Sequence, residues 1–152
     1  MPNFDELKVL HPESKKIQTE NFLIFGICKY GREFFDLIEK ELIEIGFNCE
    51  RINYLNVENL YATTGTSGKL FCFLGHTDVV PTGPEDKWKY PPFSATIDGD
   101  ILYGRGTADM KASVAAFIES AKEFLDLKEK LNFRLAILLT SNEEGTSKDG
   151  FI

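Results

Sequence analysis

The sequence predicts an α/β domain. Three observations predict it. Residues 32–45 carry apolar side chains at helical spacing, two apolar runs at 70–74 and 133–140 have strand length, and a second helical stretch opens at Asp109 between them. The order helix, strands, helix, strand is that of an α/β layer.

In the first helix Phe34, Phe35, Leu37, Ile38, Leu42 and Ile45 recur on one face, with Lys40, Glu41 and Glu44 between them, and Gly46 ends the element. Residues 47–54 and 59–63 read as strands, and Thr64-Gly-Thr-Ser-Gly68 as a turn. The run Leu70-Phe-Cys-Phe-Leu74 reads as a buried strand, with Cys72 as plain core. Residues 81–92 form a polar loop rich in proline, and Trp88 packs it down. Residues 95–97 and 101–103 flank Asp98-Gly-Asp100 as a hairpin. The second helix, from Asp109, places Val114, Phe117, Ile118, Ala121, Phe124 and Leu125 on one face. Residues 133–140 are continuously apolar, as in a strand buried on both faces. Residues 10–30 show no clear period of either kind.

The chain has 152 residues, enough for one domain with a core. Its net charge of -7 argues against a nucleic-acid surface, which would show a basic patch. The longest apolar run near the start, residues 22–28, is far shorter than the roughly 20 residues a membrane helix needs. Three cysteines, Cys28, Cys49 and Cys72, lie far apart with no secretory signal before them. That points to a reduced, cytoplasmic setting.

Chemistry concentrates in three segments. His76 follows the first apolar strand, with Asp78 two residues on; Asp109 stands at the opening of the second helix; Glu143 and Glu144 follow the last strand. Imidazole nitrogen and carboxylate oxygen are donors that zinc and similar divalent ions accept. Adjacent residues on an extended segment point to different sides, so one glutamate can hold metal while its neighbour faces an attacking water. Reactive groups of open α/β sheets gather beyond the carboxyl ends of strands, where these segments fall. Taken singly, each has a plainer explanation. A histidine after a strand is most often structural, an aspartate at a helix start most often a cap, and paired glutamates most often solvated surface. The argument rests on their combination.

Gly75-His-Thr-Asp-Val-Val-Pro81, the Pro-Pro-Phe93 loop, Leu102-Tyr-Gly-Arg-Gly-Thr-Ala-Asp-Met-Lys111 and Leu139-Thr-Ser-Asn-Glu-Glu-Gly145 together closely resemble the succinyl-diaminopimelate desuccinylases. These sit in a wider metallopeptidase family with acetylornithine deacetylases, aminoacylases and glutamate-type carboxypeptidases. The resemblance implies the N-terminal part of a zinc-exopeptidase-like catalytic domain, with a mixed, mostly parallel sheet flanked by helices. It implies two Zn²⁺ ions per intact site, Co²⁺ being possible. His76 and Glu144 would each bind one ion, and Asp109 would bridge both. Glu143 would be the general base, and Asp78 would hold His76 in the right tautomer. The peptide after Asp109 would be cis. The reaction implied is hydrolysis of N-succinyl-LL-2,6-diaminopimelate to succinate and LL-2,6-diaminopimelate, a step toward lysine and cell-wall precursors. Related N-acyl-amino-acid hydrolysis, as in acetylornithine deacetylases, is the alternative within the enzyme class.

Family members are more than twice as long and carry a lid domain that also makes their homodimer. A second metal-binding glutamate and a late histidine lie in that further part, and His11 is a poor substitute for the latter. The expectation is therefore an N-terminal fragment lacking the lid. Residues 1–31 would be an unaligned, aberrant segment and residues 32–152 a partial metallohydrolase domain. Such a chain is expected to bind metal weakly and to be inactive alone; the contrasting possibility is a non-catalytic gene remnant. The implied partner is a small N-succinyl amino acid, with neither nucleic acid nor membrane.

Overall fold

The computed structural model describes residues 6–8, 32–126 and 132–145. The expectations for His11, Cys28 and segment 10–31 lie outside the described residues. Two sheets, two α-helices and a short 3-10 helix at Glu85–Lys87 make up the described fold. Strands β2 (Asn48–Arg51), β3 (Asn59–Thr64), β4 (Lys69–His76) and β7 (Phe133–Thr140) form one sheet in the order β2-β3-β7-β4. Its β2–β3 and β3–β7 ladders are antiparallel, and its β4–β7 ladder is parallel. A smaller antiparallel sheet runs β1-β6-β5, from Glu6–Lys8, Ile101–Tyr103 and Thr96–Asp98. The hairpin between β5 and β6 turns at Gly99, as its sequence predicts, with φ +62°. Strand β1 has no counterpart in the sequence reading.

Helix α1 (Arg32–Glu44) buries Phe34, Phe35, Ile38 and Leu42, the face its periodicity marks. Helix α2 (Ala112–Asp126) buries Val114, Ala115, Ile118 and Ala121. Both faces join Leu60, Ala62, Leu135, Ile137 and Leu139 from the larger sheet in one apolar cluster. Helix α1 lies against β2 and β3, and α2 against β4. Strand β7 is central and buried along most of its length, on both faces. Among the described residues, no helix is long and apolar enough to cross a membrane.

Three expectations need correction. The sheet is mixed and flanked by helices as expected, but among the described strands it is mostly antiparallel, since β4–β7 alone of its three ladders is parallel. Strand β4 is not buried along its apolar run: Leu70, Phe71 and Leu74 are 43%, 59% and 56% exposed, and Cys72 is half-buried. Only its last two residues, Gly75 and His76, are covered. The reason is position. Strand β4 pairs with β7 on one side and ends the described sheet on the other. Asp109, in turn, does not open a helix. Helix α2 begins at Ala112, and Asp109 has extended backbone angles (φ -126°, ψ 101°) within an irregular turn at 107–111.

Candidate metal centre

Four local devices bring the chemistry-bearing residues together. The first is the parallel β4–β7 ladder, which sets His76 opposite Thr140. One residue on, the Thr77 N–H donates to the Thr140 carbonyl at 2.9 Å, so the two strand ends leave the sheet side by side. The second is Ser141. Its N–H donates to the Glu58 carbonyl and its hydroxyl accepts the Glu58 N–H, both at 2.9 Å. That holds the chain just past β7 against the start of β3. The third is the 107–111 turn. The Asp109–Met110 peptide is cis, as the resemblance implies. The Met110 sulfur accepts the His76 N–H at 3.3 Å, which seats the turn beneath the end of β4. A side chain at Gly75 would crowd the Met110 methyl at 3.2 Å. The fourth is Gly106, whose φ of +81° starts the turn.

His76 lies at the middle of the cluster and its side chain is 6% exposed. Its Nδ1 sits 3.1 Å from the main-chain carbonyl of Asp78 and 3.5 Å from that residue's carboxylate. Nδ1–H donation to that carbonyl leaves Nε2 as the ring atom that faces the other carboxylates, the arrangement metal-binding histidines adopt. Nε2 faces Asp109 Oδ1 at 3.1 Å and Glu143 Oε2 at 3.7 Å. One ligand atom each from His76, Asp109 and Glu144 lie within 4.8 Å of one another.

The electrostatics match a cation site. Four carboxylates, from Asp78, Asp109, Glu143 and Glu144, surround one imidazole. Burial by itself would lower the His76 pKa, but hydrogen bonds and charge from Asp78, with Asp109 beside it, raise it to about 9. Burial would raise the Asp78 carboxyl; the His76 imidazole beside it and hydrogen bonds from the Glu143 and Glu144 N–H groups hold it below the ordinary range. Burial also pushes the Glu144 carboxyl up, and the nearby Asp109 charge adds to it. One imidazole and two carboxylates converging under mutual repulsion fit a divalent ion of the zinc kind.

His76, Asp78, Asp109, Glu143 and Glu144 thus fall in one cluster. Met110, Ser141 and Glu58, which fix its geometry, were not singled out. Their roles depend on contacts between distant segments and leave no spacing signal. Trp88 packs the proline-rich loop down, as its sequence reading expects, and Arg105 takes part. The Trp88 indole N–H donates to the Thr82 carbonyl at 3.0 Å, and the Arg105 guanidinium lies 4.8 Å over its ring. Together they pin the 81–92 loop beside the site.

Comparison with known proteins agrees with this architecture. The sequence profile described as Peptidase family M20/M25/M40 matches residues 72–151. The chain is 49% identical over 114 residues to a succinyl-diaminopimelate desuccinylase of Alkalilimnicola ehrlichii, covering 75% of this chain and 30% of that one. To the protein of the same name in Dechloromonas aromatica it is 51% identical over 117 residues, covering 77% and 31%. The chain therefore spans a little under a third of the length of these relatives. Among solved structures, an M20 family metallo-carboxypeptidase from Sulfolobus solfataricus superposes with a TM-score of 0.73 at 27% identity, over 84% of this chain and 30% of that one. The profile match covers more than half of the sequence and takes in all five clustered side chains, so the chain belongs to peptidase family M20/M25/M40.

Proposed function

We propose that this chain supplies one part of a two-metal amide-hydrolase centre acting on N-succinyl-LL-2,6-diaminopimelate. The observation that carries the reading is the convergence of His76, Asp109 and Glu144 on one point, with Glu143 beside the imidazole. The desuccinylase names of relatives at about half identity support the substrate. His76 and Glu144 would hold separate ions and Asp109 would bridge them. Zn²⁺ is the ion this donor set favours, with Co²⁺ able to replace it. Bound ions would polarise the amide carbonyl and acidify the attacking water.

The residues of the chain do the rest. Glu143, 47% exposed at the mouth of the cluster, takes a proton from the attacking water and passes it to the leaving amine nitrogen. Water thereby adds to the succinyl carbon, the amide C–N bond breaks, and succinate and free diaminopimelate leave. Asp78 keeps the strand ends in register. Residues 32–152 form part of the catalytic domain in this reading, and the intact enzyme is a homodimer. A cytoplasmic setting suits it, since Cys49 and Cys72 are both free thiols.

A chimaera tests the proposal. Residues 36–145 replace the matching segment of the Dechloromonas aromatica relative, and hydrolysis of N-succinyl-LL-2,6-diaminopimelate is followed with added Zn²⁺. Turnover is expected, with a loss of at least 100-fold on Glu143→Gln. N-acetylornithine serves as the competing substrate. A folded, zinc-loaded chimaera without turnover would sink the reading, and preference for N-acetylornithine would replace the substrate. The isolated 152-residue chain is expected to show no turnover above a metal-only blank.

A further inference from the structure

We infer that the Asp78 carboxylate is a positioning group for the Glu143–Glu144 turn, while the His76 ring is oriented by the Asp78 main chain. The inference rests on the reading of Glu143 as base and Glu144 as ligand. The carboxylate accepts the Glu143 N–H on both oxygens, at 3.1 and 3.0 Å, and the Glu144 N–H at 2.9 Å. The imidazole stands 3.5 Å from the same carboxylate, but 3.1 Å from the Asp78 carbonyl, which any residue at position 78 would supply. The side chain therefore spends its acceptors on the neighbouring strand's turn.

The need for such an acceptor follows from topology. The β4–β7 ladder ends at the His76–Thr140 pair, and the Ser141 N–H is taken by Glu58. Beyond that point the Asn142 N–H turns back to the Thr140 hydroxyl at 3.3 Å. The next two N–H groups are past the reach of either neighbouring strand. A carboxylate with two oxygens takes both, and hydrogen bonds to an ionised acceptor are roughly twice as strong as neutral ones. Asp78 leaves β4 two residues after His76, so one short segment fixes the metal-facing histidine and the two glutamates at once. An amide at this position would offer one oxygen and set an NH₂ group against an N–H donor.

Amide hydrogen exchange by NMR on the full 152-residue chain, without metal, tests this. Exchange at Glu143 and Glu144 is expected to quicken at least tenfold in Asp78→Ala. In Asp78→Asn one of the two amides should keep its protection. Unchanged protection at Ala136 and Ile137, inside β7, reports an intact sheet, and if Asp78→Ala loses it, Asp78→Asn decides alone. Co²⁺ titration by visible absorption supplies the second readout, with weaker binding in Asp78→Ala and partial recovery in Asp78→Asn. Unchanged exchange at Glu143 and Glu144 in Asp78→Ala would overturn the inference. Wild-type protein that takes up no Co²⁺ would count against the proposed function and leave the exchange result standing.

Discussion

Gly106 illustrates how much of the centre depends on single backbone positions. Its φ of +81° is left-handed, and a Cβ there would lie 2.5 Å from the Val79 side chain. The residue stands directly before the turn that carries Asp109, while Val79 directly follows Asp78. A side chain at 106 would therefore push apart the two segments that bring Asp109 to His76. Gly106→Ala is expected to cost about 1–3 kcal/mol through the left-handed backbone alone. Zinc affinity should fall with it, because the Asp109 oxygen must stay near the 3.1 Å it keeps from the imidazole. Urea denaturation and zinc titration of the variant check both. An unchanged denaturation midpoint together with unchanged affinity would refute the account. At this scale the sequence reading named the ligand-type residues but not the residues that seat them. His76 and Glu143-Glu144 stand out because they follow apolar runs. Met110 and Glu58 act through the shape of a turn and the pairing of strands far apart in the chain.

At the scale of elements, legibility follows the contrast between faces. Helix α1 alternates apolar and charged residues at period 3.6, and its buried side chains are among those the period selects. Strand β7 is apolar from Leu135 to Leu139 and lies centrally, as such runs usually do, with Arg134 exposed near its start. Strand β4 has the same composition and a different fate. An apolar run states that a strand is suited to burial on both faces; it does not state what pairs with each edge. In the described fold one edge of β4 meets β7, and Leu70, Phe71 and Leu74 meet solvent. Next to it lies an apolar groove of about 680 Å³, lined by Leu70, Phe71, Phe117, Phe124 and Phe133 among others. Edge strands that lack a charge or proline in mid-strand pair readily with other chains, and patches of this kind drive association. The isolated chain is expected to self-associate at micromolar concentration. Phe71→Lys, which puts a charge on the most exposed of the three positions, should shift it toward monomer in sedimentation velocity. Equal self-association of Phe71→Lys and the parent chain would place the contact elsewhere.

At the scale of the whole molecule, the three proposed ligand groups come from positions 76, 109 and 144, and the fold brings them within 4.8 Å of one another. An unfolded chain has no such site, so metal binding is linked to folding. The metal-free cluster also carries its own opposition, since four carboxylates crowd one imidazole and the Glu144 carboxyl is pushed up, first by burial and then by the Asp109 charge. A divalent ion held there would relieve that repulsion and tie together β4, the 107–111 turn and the segment past β7. At a free Zn²⁺ concentration 100 times the dissociation constant, the linkage amounts to about 2.7 kcal/mol, whatever the absolute affinity. For a chain of this size each kcal/mol moves the thermal midpoint by roughly 2–4 °C, so a rise of roughly 5–10 °C is expected. EDTA should reverse it. His76→Ala should abolish it, because it removes the one nitrogen donor and the buried centre of the cluster. Asp36→Asn, on the far end of the Arg51 ion pairs, should leave the zinc-induced rise intact. Differential scanning calorimetry with and without Zn²⁺ reads all four. A rise that persists in His76→Ala would mean that zinc binds the folded chain somewhere else, and no rise at saturating zinc would remove the metal centre from the account of this fold.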